Sequence, residues 1–370
     1  MYRNFNVGAP FRGSSGNLRA LTDARQDVAA LLNCLPQQVV FGNNATTLTF
    51  HMSRVLTADA RLNIGPGDNI VVTSMDHACN VGPWELLARD TGAELRRIAL
   101  DRSSWSLDRA SIDASIDGRT KLVAVGAASN LLGSVNDFAY AVARARAVGA
   151  LSYVDGVHLA PHTLIDVEAI GCDMLVCSPY KFFGPHMGTL YIRGELAEEL
   201  LPYKIRPNSD ELPTFENCQG SRWEMGTQNY EGIAGSAAAV RYIASLARRF
   251  PAVPPRASSA PDPPAAPPAS ALDGATDGQH RLRCDLAASW RLIAAHEARL
   301  TQRFLAGIAD MPHIDLYGAD LRCSGARPRT GHVAGGVLAL VLAVHGCSGL
   351  DWWWGARRQR VRVLLLCAHG

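Results

Sequence analysis

The sequence predicts an α/β fold built on a mainly parallel sheet, and three observations point to it. Between about residues 38 and 192, short β-branched runs alternate with amphipathic Ala- and Leu-rich stretches, the order expected of parallel strands joined by helical crossovers. Several of these runs end in polar residues, as strands do where an open sheet turns its carboxyl edge toward a ligand. The 370 residues, 48% hydrophobic and 19% charged, suffice for a sizeable core and exceed the usual length of a single domain.

Seven strands are expected, at Gln38–Phe41, Asn69–Thr73, Leu95–Ala99, Lys121–Val125, Leu151–Asp155, Met174–Cys177 and Thr189–Ile192, with helices in most of the intervals. Four polar endings follow or close them: Asp76-His77, Ala128-Ser129-Asn130, Asp155, and Ser178-Pro179-Tyr180-Lys181. Strand ends of this kind converge on one crevice.

Composition changes at Pro251, and residues 250–278, rich in Pro, Ala, Ser and Asp, read as a linker or insertion with no core of their own. Residues 1–249 are therefore expected to form the large domain, with 1–15 as an N-terminal segment. Residues 279–318 should begin a smaller, incomplete domain, opening with a helix over about Leu286–Ala309. From 319 to 370 the periodicity is lost through Ala326-Arg-Pro-Arg-Thr330, Trp352-Trp353-Trp354 and Arg357-Arg-Gln-Arg-Val-Arg362. A shifted reading frame in GC-rich coding DNA would leave this enrichment in Ala, Arg, Gly and Trp. No internal repeat is visible.

The 36 Lys and Arg nearly balance the 34 Asp and Glu, so no long-range field marks a binder of nucleic acid or acidic membranes. A small-molecule partner is expected. Nine cysteines, at 34, 79, 172, 177, 218, 284, 323, 347 and 367, form no CxxC pair and follow no secretory leader, which fits free thiols in a reducing cytoplasm. The most apolar stretch, Gly335–Val344, is far shorter than the roughly 20 residues that span a bilayer.

Four short segments carry residue types able to do chemistry, and each has a plain alternative. Lys181 lies in Ser178-Pro-Tyr-Lys-Phe-Phe-Gly-Pro-His-Met-Gly188, where glycines let backbone close around a ligand, or where a lysine is simply solvated. Asp155, in Tyr153-Val-Asp-Gly-Val-His158, is a reactive carboxylate or a turn cap. Gly42-Asn-Asn-Ala-Thr-Thr47 follows a strand and opens a helix, so it grips an anion or only caps. His77, in Asp76-His-Ala-Cys-Asn80, stacks on a ring and moves protons, or is structural.

Together they supply the four parts of a pyridoxal 5'-phosphate (PLP) site: a lysine for covalent attachment, an acid for the pyridine nitrogen, a phosphate cradle and a stacking ring. His158 and His162 have the i, i+4 spacing of a zinc pair, but Pro161 between them and the absence of an HExxH glutamate argue against one. Cys172 and Cys177 flank an apolar run and read as small core residues.

The order and spacing of Ala45-Thr46, His77, Asn130, Asp155, His158, Ser178, Lys181 and Trp223-Glu-Met-Gly-Thr227 resembles the class V aminotransferase family, which includes the cysteine desulfurases. The resemblance covers roughly residues 5–246 and is especially close at Asp155-Gly-Val-His-Leu-Ala-Pro-His162 and Ser178-Pro-Tyr-Lys-Phe-Phe-Gly-Pro-His186, which look like a cysteine desulfurase-like subgroup.

It implies a fold-type I homodimer whose large domain holds a mainly parallel seven-stranded sheet, with PLP held as a Schiff base on Lys181. By position, Ala45, Thr46 and Ser178 would bind the phosphate, His77 would stack on the ring, and Asp155 would pair with the pyridine nitrogen. Asn130 and His158 would face the phenolic oxygen, and Thr227 would reach the phosphate of a neighbouring subunit. The substrate implied is an amino acid, and the reaction is that of a desulfurase-like lyase or sulfurtransferase. An aminotransferase or epimerase-like activity, and a non-catalytic fold with a lost substrate pocket, stay open beside it.

The match departs from the desulfurases at several points. Tyr180 stands where they usually carry His before the lysine, and His158 where they carry Gln. A nucleophilic cysteine and an arginine to clamp the substrate carboxylate are also required. Cys323, Cys347, Cys367, Arg322, Arg327 and Arg329 all lack the family's context for those roles. Phe5-Asn-Val-Gly8 resembles a point inside the first substrate-binding segment, so residues before it are expected to be missing.

Overall fold

Each of the seven runs expected as strands forms one, with ends within a residue of those expected, and all seven join a single sheet. The computed structural model describes residues 12–204, 211–212, 222–250, 277–308, 311, 314–317, 338–344 and 361–367. The strands are β1 (Val39–Gly42), β2 (Asn69–Thr73), β3 (Glu94–Ile98), β6 (Thr120–Gly126), β7 (Leu151–Asp155), β8 (Met174–Cys177) and β9 (Gly188–Ile192); β4 (Leu100–Asp101) and β5 (Ser106–Leu107) form a separate short hairpin.

The sheet order is β1-β9-β8-β7-β6-β2-β3. β9 runs antiparallel to both of its neighbours, and every other pair is parallel. Residues of β2, β8 and β9 are buried throughout, because helices cover both faces of the sheet. That is why these strands read as continuous apolar runs. Alternation nevertheless assigns each side chain to a face: Val71, Val123, Val154 and Leu175 join one core, and Ile70, Val72, Leu122, Tyr153 and Val176 the other.

The first core is covered by α1 (Arg12–Leu32), α5 (Phe138–Ala147) and α8 (Tyr230–Arg249), the second by α2 (Ala45–Ala58) and α3 (Gly82–Thr91). α4 (Arg109–Ser115), α6 (Val167–Ile170) and α7 (Gly194–Glu199) are short connectors. The edge strand β3 carries the exposed Glu94 and Arg97, charges that discourage pairing with another sheet.

The helix expected from about Leu286 begins earlier. α9 spans Asp277–Ile308, and its first turns are tied to the end of α1. Gln279 Nε2 donates to Cys34 O at 3.0 Å, and the Arg283 guanidinium donates to Ala30 O at 3.1 Å and Leu31 O at 2.6 Å. Periodicity alone hides this start, because buried Gln279 and Arg283 occupy positions that an apolar stripe would fill. The linker expected over 250–278 lies outside the described residues except at its ends.

The tail, in which the sequence pattern is lost after about Tyr317, contains two further strands. β10 (Ile314–Tyr317), β11 (Leu338–Val344) and β12 (Val361–Cys367) form a three-stranded sheet of order β10-β12-β11. Short continuous apolar runs make strands without any periodicity to announce them. The Trp-rich stretch and residues 357–360 of the Arg-rich one, with Cys323 and Cys347, lie outside the described residues, as does Phe5-Asn-Val-Gly8.

Edge strand β1 is closed by a buried ion pair. Arg25 of α1 is 2% exposed and Glu224, just before α8, is 4% exposed. The guanidinium meets Glu224 Oε1 at 2.6 Å and also donates to Val39 O, while Glu224 Oε1 accepts from Phe41 N–H at 3.4 Å. Together the two side chains satisfy the outer edge of β1 and fix the segment carrying Thr227 to the sheet. Removing one partner strands a charge where water cannot reach it.

Glu224→Ala is therefore expected to lower stability by about 3–5 kcal/mol, read by chemical denaturation, and the paired Arg25→Met, Glu224→Leu replacement by clearly less. Unfolding of Glu224→Ala within about 0.5 kcal/mol of wild type contradicts this assignment.

Candidate active site

The carboxyl ends of β2, β6, β7 and β8 and the first turn of α2 surround a cavity of about 160 Å³. That compares with the ~150 Å³ engineered cavity that accepts benzene, so a single aromatic ring fits the space. Eight of the nine residues singled out by sequence line it. Ala45 and Thr46 come from α2, His77 from the turn after β2, and Asn130 from the loop after β6. Asp155 and His158 follow β7, and Ser178 and Lys181 follow β8. Thr227 does not line the cavity and is exposed.

The N-terminus of α2 is arranged as an anion cradle. Asn44 caps the helix: its Oδ1 accepts from Thr47 N–H at 2.8 Å, and Thr47 Oγ1 accepts from Asn44 N–H at 3.3 Å. Of the four N–H groups that a helix start leaves without intrahelical acceptors, the capping box uses these two. Those of Ala45 and Thr46 remain, at the positive end of the helix dipole. Gly188 of β9 allows the close approach, since a Cβ there would lie 2.5 Å from the Asn44 carbonyl carbon.

Asp155 closes β7 at 7% exposure. Its Oδ1 accepts from Val157 N–H at 2.9 Å and its Oδ2 from the Cys79 thiol at 3.6 Å. Burial holds the carboxyl above the ordinary carboxylate range, opposed by those two donors and by the charges of His77 and Lys181. Among the described residues it makes no ion pair within 4.0 Å. A carboxylate so placed is a receptor for a cationic or N–H-bearing group inside the cavity.

Lys181 sits one strand over, on the short turn Pro179–Phe182 that follows β8, and is exposed while lining the cavity. The turn ends on Phe183 at φ 67°, a left-handed conformation that a bulky residue holds only when its surroundings enforce it. Here Gly184 N–H donates to Pro179 O at 2.8 Å, and a Cβ at 184 would lie 2.6 Å from Pro179 Cβ. The turn therefore needs its glycine.

His158 lines the same cavity, and neither of its ring nitrogens has a hydrogen-bond partner among the described residues. Burial, then the nearby His162 and Lys181, push it down to about 4, so it is neutral at physiological pH. Its ring lies 5.8 Å from that of His162, whose Nδ1 meets Glu297 Oε1 of α9 at 2.9 Å. The i, i+4 histidine pair is thus divided: one ring faces the cavity, and the other is tied to a carboxylate 135 residues away in sequence.

Asp76, Cys79 and Tyr180 also line the cavity, and sequence reasoning gave none of them a role in the site. Asp76 accepts from Thr73 Oγ1 at 2.7 Å, Asn80 Nδ2 at 2.7 Å and Gly126 N–H at 2.9 Å. Burial nevertheless pushes it up to about 7. Gly126 is required there, because a Cβ would lie 2.6 Å from Asp76 Oδ1. The polar pair Asp76-His77 just past a strand end was the available signal.

Comparison with known proteins adds a family. Residues 13–250 match the family model described as aminotransferase class-V. A cysteine desulfurase of Enterobacter sp. (strain 638) is 31% identical over 310 residues, 82% of this chain and 65% of that protein. One from Pectobacterium carotovorum subsp. carotovorum (strain PC1) is 35% identical over 235 residues, 62% of this chain and 57% of that protein. The chain thus spans less than two thirds of the length of these relatives.

Among solved structures, the apo cysteine desulfurase of Thermococcus onnurineus NA1 matches with a TM-score of 0.59 and 26% identity, over 68% of this chain and 66% of that one. CsdA, a cysteine desulfurase from Escherichia coli, matches with a TM-score of 0.55 and 26% identity, over 69% of this chain and 68% of that one.

The depressed basicity of His158 has a measurable consequence. An unfolded chain takes up this proton near the ordinary histidine value of about 6.5, while the folded site refuses it until about 4. The contribution to stability is present above the former and lost as pH falls through the latter. Between pH 7 and 4.5, the thermal midpoint of wild type is therefore expected to fall further than that of His158→Gln; equal losses contradict it.

Proposed function

The chain belongs to the class V aminotransferase family, and on that premise we propose that it binds PLP and acts on an amino acid as a cysteine desulfurase-like lyase or sulfurtransferase. One observation carries the reading: Asp155 and Lys181, from neighbouring parallel strands, line one ring-sized cavity together with the open N-terminus of α2.

The residues present fit the cofactor. The buried Asp155 carboxylate has no cationic partner among the described residues, both His158 ring nitrogens are unpaired, and α2 offers N–H groups to an anion. On this reading Lys181 holds PLP covalently, Asp155 meets its pyridine nitrogen, and His77 covers the ring. Ala45, Thr46 and Ser178 hold the phosphate, and Asn130 and His158 contact the phenolic oxygen. When bound, PLP supplies an electron sink that stabilises negative charge developing beside an amino-acid nitrogen.

Asp155 favours that sink by keeping the pyridine nitrogen protonated through its negative charge. Lys181, an amine on the cavity wall, would hold the cofactor and, as a free amine, would carry a proton to or from the substrate α-carbon. His158, neutral at pH 7, serves as donor or acceptor at the phenolic oxygen without adding charge. Thr227, which is exposed, would by the family resemblance meet the phosphate bound by a second copy, and the active form we propose is a homodimer, in the cytoplasm, with residues 1–249 as the cofactor domain.

The desulfurase reading is supported by the relatives, which are cysteine desulfurases. An aminotransferase or epimerase-like activity is the alternative, and it is not better supported. Cys79 is the thiol that lines the cavity, and burial followed by the Asp155 charge pushes it up to about 12, too high for a ready thiolate nucleophile.

The test is a visible absorption spectrum of the purified chain titrated with PLP, beside Lys181→Ala, followed by addition of amino acids. Wild type should gain a band that cysteine alters, with release of alanine and, when a dithiol reductant is added, of sulfide, and Lys181→Ala should gain none. Turnover that depends on an added 2-oxo acid moves the assignment to the aminotransferase. Wild type without a band overturns the proposal.

A further inference from the structure

Cys79 is not idle in the cavity. Its thiol lies 3.6 Å from Asp155 Oδ2, the oxygen left open by the Val157 N–H, which goes to Oδ1. The thiol is held there by a rigid turn. Cys79 N–H donates to His77 Nδ1 at 3.1 Å, and Asn80 N–H donates to His77 O at 2.9 Å. Next to it, Asn80 is locked between Asp76 Oδ2 at 2.7 Å and the Trp84 indole N–H at 3.1 Å.

A thiol in such a place is a nucleophile, a core residue or a hydrogen-bond donor. Its raised pKa excludes the first at neutral pH, since the proton stays on sulfur. Its half-buried position on the cavity wall, with sulfur directed at a carboxylate, is not that of a filler. Donation to Asp155 is left. A donor to a carboxylate stabilises the charged form and weakens its hold on a proton. When that carboxylate faces a pyridine nitrogen, the number of donors on it decides which partner keeps the proton between them.

We propose that Cys79 is a positioning residue for Asp155: its thiol orients Oδ2 and keeps the proton shared with the pyridine ring of PLP on the nitrogen. This rests on the PLP reading of the cavity. The element that carries His77 over the ring thereby also sets the state of the acid beneath it, so the turn after β2 controls both sides of the cofactor. Serine, a better donor of similar size, should substitute; alanine should not.

Two measurements on the full chain test this, and one needs no cofactor. In the unloaded protein, alkylation of Cys79 by iodoacetamide, followed by peptide mass, should be about tenfold faster at a given pH in Asp155→Asn, because removing the negative acceptor lowers the thiol pKa by about one unit. An unchanged rate overturns the contact. In the loaded protein, the NMR signal of PLP labelled with 15N at the ring nitrogen should report a protonated ring in wild type and Cys79→Ser. In Cys79→Ala the ring-nitrogen signal at neutral pH should move toward that of an unprotonated ring, because the more basic carboxylate takes a larger share of the proton.

An identical ring-nitrogen signal at neutral pH in Cys79→Ala and wild type overturns the proposal. Loss of PLP uptake in Cys79→Ala restored in Cys79→Ser supports it, and loss in both overturns it. Wild type that takes up no PLP overturns the cofactor reading, and with it the tuning of the ring; the alkylation rates then still report on the thiol–carboxylate contact by itself.

Discussion

A carboxylate at the closed end of a strand, out of reach of bulk water, has to be stabilised by something, and the neighbourhood of Asp155 is organised around that need. Leaving such a charge uncompensated costs several kcal/mol. The chain supplies one backbone N–H from Val157 and one thiol from Cys79, with no ion pair among the described residues. The deficit makes the site a receptor for a cationic or N–H-bearing group, in a cavity that Lys181, His77 and His158 also line.

The scaffold brings these groups together through sheet order. β7 and β8 are adjacent, so Asp155 and Lys181 fall on the same edge, while β6 separates β7 from β2. The turn after β2 therefore has to reach across β6 to touch β7. It does so through Asp76, which binds the Gly126 N–H at the end of β6 and through Asn80 holds the turn that carries Cys79. At the other end of the sheet, Gly188 lets β9 lie against the start of α2, and the Arg25–Glu224 pair closes the outer edge of β1. The binding surface depends on contacts that no single strand contains.

Much of this was legible in the sequence. The strands announce themselves because burial on both faces selects β-branched runs, and the polar residues that end them stand out against that background. Asp155, Lys181, His77 and the α2 start were visible for this reason, and the family resemblance gave them an order. What stayed hidden depends on distance in the fold. The Cys79–Asp155 contact bridges strands that are not neighbours, and His162 meets Glu297 from a helix that follows the Pro-rich segment. The early start of α9 was masked because its inward positions are polar, Gln279 and Arg283, each used against the carbonyls at the end of α1. β11 and β12 went unread because apolar runs carry no period.

The measurement that most directly tests whether this cavity is a PLP site is peptide mass mapping after borohydride reduction of the chain incubated with PLP. The account predicts one dominant reduced phosphopyridoxyl adduct, on Lys181, which disappears in Asp155→Ala at limiting PLP because the pyridine nitrogen has lost its partner. Label spread over surface lysines, or placed on Lys181 with equal yield in Asp155→Ala, would contradict it.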